Sequence, residues 1–190
     1  MARTKSTVRL ESLSAEDLAP LVGADRPTFQ SALQALVAWG TSRNFRQQVM
    51  ADSAFPMPDD LPAFLVVNQL VYRGAATPTD LADAIDTGRP NVSKIVTRLE
   101  EAGLVFRATD PRDNRGVVIG LTRQGRAVGR RIVAAVSRDE HNLAGWTPEE
   151  FAALERLVIK LAATIDALPG HPLTVVAGVS FAEHRRRTPR

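Results

Sequence analysis

The heptapeptide Asp110–Gly116, DPRDNRG, joins two apolar, β-rich runs, Leu104–Thr109 and Val117–Thr122. So short a connection allows only antiparallel pairing, because a parallel crossover needs a dozen residues or more. The two runs therefore form a two-stranded hairpin, with Pro111, Asn114 and Gly116 shaping its turn. Bare carboxylates at an exposed tip repel phosphates, so Asp110 and Asp113 are assigned internal work. An aspartate two residues from an arginine orients the guanidinium by a charge-assisted hydrogen bond, and Asp113 is read as aiming Arg115.

What precedes the hairpin is equally constrained. In TPTDLADAID, Thr77 caps the free amides, Pro78 takes the first helical position and Asp80 completes the capping-box spacing, which predicts a short helix. RPNVSKIVTRLEEAG restarts the chain with an apolar stripe of Val92, Ile95, Val96 and Leu99, and Gly103 ends that helix. Its outward face carries Arg89, Asn91, Ser93, Lys94, Thr97 and Arg98, with no carboxylate until Glu100.

Longer helices flank this block. Phe29, Leu33, Leu36 and Val37 predict one helix from about Pro27 to Met50, preceded by a short capped helix in SAEDLAPL. The proline-rich SAFPMPDDLP is a connection, and Leu61–Tyr72 is a buried helix stopped near Gly74. Thr122 caps a helix from Arg123 to about Leu143. Thr147, Pro148 and Glu150 repeat the capping logic for a last helix, Pro148–Leu168, whose Phe151, Leu154, Val158, Leu161, Ile165 and Leu168 form a short heptad seam.

Composition narrows the function. The 190 residues hold no cysteine, which removes disulfides, thiolate nucleophiles and thiolate metal sites. No Walker loop, G-x-S-x-G elbow, dinucleotide glycine fingerprint or H-E-x-x-H motif is present, so the expectation is a non-enzyme without cofactor or metal. With 44% hydrophobic and 24% charged residues and no long apolar span, the reading is a globular, cytoplasmic protein with no membrane association. Twenty-four Lys and Arg against 21 Asp and Glu say little in sum. Their distribution says more, because a basic-leaning run extends from Arg89 to Arg131.

A short helix, a tight turn, a second helix with a cationic and uncharged-polar face, and a hairpin directly after it are the parts of a winged helix-turn-helix. A major groove about 12 Å wide admits one helix, and the side chains that read it are short hydrogen-bonding groups or bidentate cations. Arg112 and Arg115 at the hairpin tip reach phosphates or the narrow minor groove.

The stretch LADAIDTGRPNVSKIVTRLEEAGLVFRATDPRDNRGVVIGLTRQGR resembles the MarR family of bacterial transcription regulators. The matching pieces are RPxVSxxVxxLExxGLV, the wing DPRDNR and the closing LTxxGR at Leu121–Arg126. The chain departs from the family pattern in a longer tail after Pro169 and in DTGRP, where many members carry valine. The resemblance implies a mainly α fold with a small β wing, a homodimer joined through N- and C-terminal helices, and a double-stranded, pseudo-palindromic DNA operator under ligand-responsive repression. The expected DNA-contact set is Thr77, Arg89, Pro90, Asn91, Ser93, Lys94, Arg98, Arg112, Asp113 and Arg115. The resemblance also implies a small aromatic or phenolic anionic effector, for which Trp39, Arg43, Arg46 and Phe64 are the candidates by position. The organisation expected is an N-terminal extension (1–26), a dimerisation helix and linker (27–60), a DNA-binding domain (61–122), C-terminal dimerisation helices (123–168) and a partly disordered tail (169–190). The competing reading is a winged-helix protein-interaction module without sequence-specific DNA binding.

Overall fold

The computed structural model describes residues 10–22, 26–110, 113–140 and 145–168, with the side chains of 110, 113–115 and 138–140 excepted. Contacts divide the chain into two compact units, Met1–Arg46 and Gln47–Arg190.

In the first unit, Ser14 caps the short helix α1 (Ala15–Leu18) in a box with Asp17. Helix α2 (Phe29–Thr41) is capped by Thr28, whose hydroxyl accepts from Ser31 N while the Ser31 hydroxyl accepts from Thr28 N. The single helix expected over Pro27–Met50 is in fact two. Ser42 takes an extended conformation, ψ 149°, and α3 (Arg43–Asp52) starts after it. The reason lies in local hydrogen bonding: Thr41 Oγ1 donates back to Val37 O at 2.7 Å, and Ser42 Oγ accepts from Phe45 N at 3.2 Å, so the second hydroxyl caps a new helix. Across the break the rings of Trp39 and Phe45 lie 4.3 Å apart.

The core belongs to the second unit. Helix α4 (Leu61–Arg73) is capped by Asp60, whose Oδ1 accepts from Ala63 N at 3.0 Å, and it ends at Gly74, φ 73°. It buries Phe64, Val66, Val67 and Leu70. Helices α5 (Pro78–Ala84) and α6 (Arg89–Glu101) bring Leu81, Val92, Ile95, Val96 and Leu99 onto the same core. The helix-period stripe in the sequence is thus the buried stripe in the fold, as periodicity requires.

Strands β2 (Val105–Asp110) and β3 (Asp113–Leu121) form the expected antiparallel hairpin, in register from Val105 opposite Leu121 to Thr109 opposite Val117. The sheet nevertheless has three strands, in the order β1-β3-β2, where two were expected. The extra one, β1 (Ala75–Ala76), pairs antiparallel with Gly120 and Ile119. Two alanines carry no alternation to read, and only the return of the chain beside β3 makes them a strand.

Helix α7 (Arg123–Glu140) begins where Thr122 Oγ1 donates to Gly103 O at 2.6 Å and accepts from Gly125 N at 3.0 Å. Gly125 is required there, because a Cβ would sit 1.9 Å from Leu104 O. Arg131 of α7 donates to Ser53 O and Ala54 O, at 2.7 and 3.2 Å, satisfying carbonyls at the end of α3. The last helix, α8 (Pro148–Asp166), carries the Thr147–Glu150 capping box. Its seam is not a core: Leu154, Val158, Leu161 and Leu168 are exposed, as is Leu157 beside them. No helix among the described residues is long and apolar enough to cross a membrane. The tail expected at 169–190 and the expected end of α7 at Leu143 lie outside the described residues.

Candidate nucleic-acid interface

Helix α6 presents its polar face because its apolar residues at 92, 95, 96 and 99 are all turned into the core. Arg89, Pro90, Asn91, Ser93, Lys94, Thr97 and Arg98 are exposed on the remaining arc. The helix starts at Gly88, which offers no side-chain cap, and its first turn holds no acidic residue. Its positive dipole end is therefore unneutralised, and Gly88 and Arg89 there are exposed, an arrangement that favours phosphate.

Helix α5 starts in a capping box, in which Thr77 Oγ1 accepts from Asp80 N and donates to Asp80 Oδ2, which also accepts from Thr77 N. At its other end a closed turn leads into α6. Thr87 N donates to Ala82 O at 2.9 Å, and Asp86 adopts the left-handed conformation, φ 50°, between the helices. Asn91 Nδ2 reaches back to Thr87 Oγ1 at 2.9 Å. These bonds hold the turn although DTGRP supplies no valine.

Two ion pairs fasten α6 to its surroundings. Arg98 meets Asp60 Oδ2 through Nε at 2.8 Å and Nη2 at 2.7 Å, tying the helix to the cap of α4. From β2, Arg107 Nη1 lies 2.7 Å from Glu100 Oε2, and its Nη2 donates to Thr97 Oγ1 and Ser93 O. Arg98 belongs to the DNA-contact set expected from the resemblance, whereas Asp60, Thr97 and Arg107 do not. An ion pair spanning 38 residues leaves no periodic trace, and the pairing of Arg107 with Glu100 appears only once the turn at Gly103 folds β2 back along α6.

At the wing, Arg112 lies outside the described residues. Asp113 and Arg115 are placed on β3 by their backbone, and the expected Asp113–Arg115 contact concerns side chains outside the described set. Of the effector candidates, Trp39 is 55% exposed and packs on Phe45, Arg43 is exposed and Arg46 half-buried. Phe64 is buried, edge-on to Phe55 with 5.5 Å between ring centroids.

A sequence model of the MarR family matches residues 60–116, the segment that holds α4, the helix-turn-helix and most of the wing. The transcriptional regulator FarR of Neisseria gonorrhoeae is 32% identical over 107 residues, spanning 54% of this chain and 71% of FarR. The multiple antibiotic resistance protein MarR of Escherichia coli is 25% identical over 118 residues, 61% of this chain and 82% of MarR. A putative transcriptional regulatory protein for the hcr operon of Thauera aromatica is 39% identical over 62 residues, 33% of this chain and 37% of that protein. Among solved structures, a MarR family protein from Bacillus stearothermophilus superposes with a TM-score of 0.55 at 23% identity, covering 70% of this chain and 89% of that one. The apo form of Escherichia coli MarR gives 0.52 at 21% identity, covering 71% and 96%. These two establish a common fold.

Proposed function

The chain belongs to the MarR family of DNA-binding transcriptional regulators, and from that premise we propose that it is a homodimeric, ligand-responsive repressor acting on a pseudo-palindromic operator. The observation that carries the reading is the exposed arc of α6, with Arg89, Ser93, Lys94 and Thr97 turned outward and the charge of Glu100 held by Arg107. Such a face fits the donor and acceptor pattern of a major groove. Arg112 and Arg115 serve the minor groove or its phosphates, Asp113 orients Arg115, and Thr77, Pro90, Asn91 and Arg98 complete the contact surface.

Dimerisation is supported by apolar surface that a monomer leaves wet. Phe29, Leu33, Leu36 and Val37 on α2 are exposed, as are Leu157 and Val158 on α8. A second copy of the chain covers these faces and places two α6 helices on half-sites about one helical turn apart.

For the effector, the exposed ring of Trp39 with Arg43 and Arg46 nearby in sequence suits an aromatic anion, by stacking and charge together. Phe64, also in the candidate set, supports the fold through Phe55. A ligand releases DNA only if it binds the DNA-incompatible conformation better than the DNA-bound one.

Selection from a random pool of short duplexes at two salt concentrations tests the whole reading. Enrichment of a two-fold-symmetric site is expected. Binding lost at moderate salt with no enriched sequence would overturn operator recognition.

A further inference from the structure

The contacts of Arg107 reach into the middle of the DNA-facing arc of α6. Its Nη2 donates to Thr97 Oγ1 at 3.3 Å and to Ser93 O at 3.4 Å. Thr97 Oγ1 in turn donates its single proton to Ser93 O at 3.0 Å. A hydroxyl has one proton and two lone pairs. In Thr97 the proton and one lone pair are engaged, so what remains for a ligand is an acceptor.

In the major groove only adenine and cytosine present an exocyclic amine donor, while guanine and thymine present carbonyl oxygens. An acceptor fixed on α6 therefore discriminates between these two pairs of bases. The same guanidinium lies 2.7 Å from Glu100, whose half-buried carboxylate borders the exposed arc and would otherwise stand uncompensated beside the phosphates. Arg107 comes from β2, so the strand that carries the wing also sets the chemistry of the helix beside it.

We propose that Arg107 is a positioning residue for DNA recognition, holding the Thr97 hydroxyl as an acceptor that selects adenine or cytosine and neutralising Glu100 at the edge of the groove. The inference rests on α6 being the helix that enters the groove.

The test is site selection from random duplexes, with affinity and salt dependence, for the full chain and for Thr97→Val, Arg107→Gln, Arg107→Lys and Arg107→Gln combined with Glu100→Gln. The wild type enriches adenine or cytosine at one position of each half-site, and Thr97→Val loses that preference at that position alone. Arg107→Gln relaxes the same position and weakens binding about fivefold, the scale of one partly exposed ion pair. Adding Glu100→Gln restores the affinity and leaves the position relaxed. Arg107→Lys keeps the charge opposite Glu100 without the fork, so it retains affinity with relaxed preference, and it stands in should the glutamine variant fold poorly.

An unchanged base preference in both Arg107 variants overturns the proposal. So does a salt slope lowered by about one with no rescue by Glu100→Gln, the signature of an arginine contacting phosphate directly. If Ser93→Ala and Lys94→Ala also leave the selected site unaltered, the fault lies with α6 as the reading helix.

Discussion

One carboxylate holds two helices: Asp60 Oδ1 accepts from Ala63 N at 3.0 Å as the cap of α4, while Oδ2 lies 2.7 Å from Arg98 Nη2 on α6. The start of one core helix and the seating of the helix assigned to the groove thus depend on the same side chain. Replacements separate its two tasks. Asp60→Asn keeps an acceptor for Ala63 N and loses the charge opposite Arg98, whereas Asp60→Ala loses both. Urea unfolding of the alanine variant is expected to show a loss of about 1 kcal/mol from the cap, with a smaller addition from the half-exposed pair. The asparagine variant should show only the smaller part, and equal losses would contradict the division.

Gly125 is a second point where sequence and packing meet. Because an added Cβ would lie 1.9 Å from the carbonyl oxygen of Leu104, Gly125→Ala forces α7 away from the end of α6. A destabilisation of roughly 3 kcal/mol is expected in urea titration. A variant within 0.5 kcal/mol of wild type, in the range of neutral surface changes, would show that the two segments separate freely.

The exposed apolar face of α8 gives a test of assembly. Leu157→Glu and Val158→Glu place charges on a face that is half-exposed in one chain and covered in the proposed dimer. Light scattering across a concentration series should find dimer for the wild type and monomer for the variants, with far-ultraviolet dichroism unchanged. Persistence of the dimer in both would locate the interface elsewhere.

At the wing and on α6, the expected phenotypes differ in kind. Arg115→Ala should weaken binding to every duplex and lower the salt slope by about one, while Asn91→Ala and Lys94→Ala should relax preference at particular bases. Competition between operator and unrelated duplex reads the difference directly. Identical phenotypes for all three would mean that α6 makes only backbone contacts.

Ligand response is read by titrating an aromatic carboxylate into free and operator-bound protein. Weaker binding to the operator complex is expected, and equal affinity would remove the linkage.

The sequence by itself determined the elements that rest on local chemistry. The capping boxes at Thr77 and Thr147, the left-handed stop at Gly103 and the buried stripe of α6 lie where spacing puts them. Each depends on residues three or four apart, whose hydrogen bonds and burial follow from helix geometry alone. The tertiary structure decided the rest. Ser42 breaks a periodic run, since its hydroxyl does better as a cap than as a helical residue. Ala75 and Ala76 become a strand only when β3 lies beside them, and Arg98 and Arg107 find their carboxylates only after α4, α6 and β2 have packed. Contacts between residues distant in sequence carry no periodicity, and they form only where the closed core brings the partners within hydrogen-bond reach.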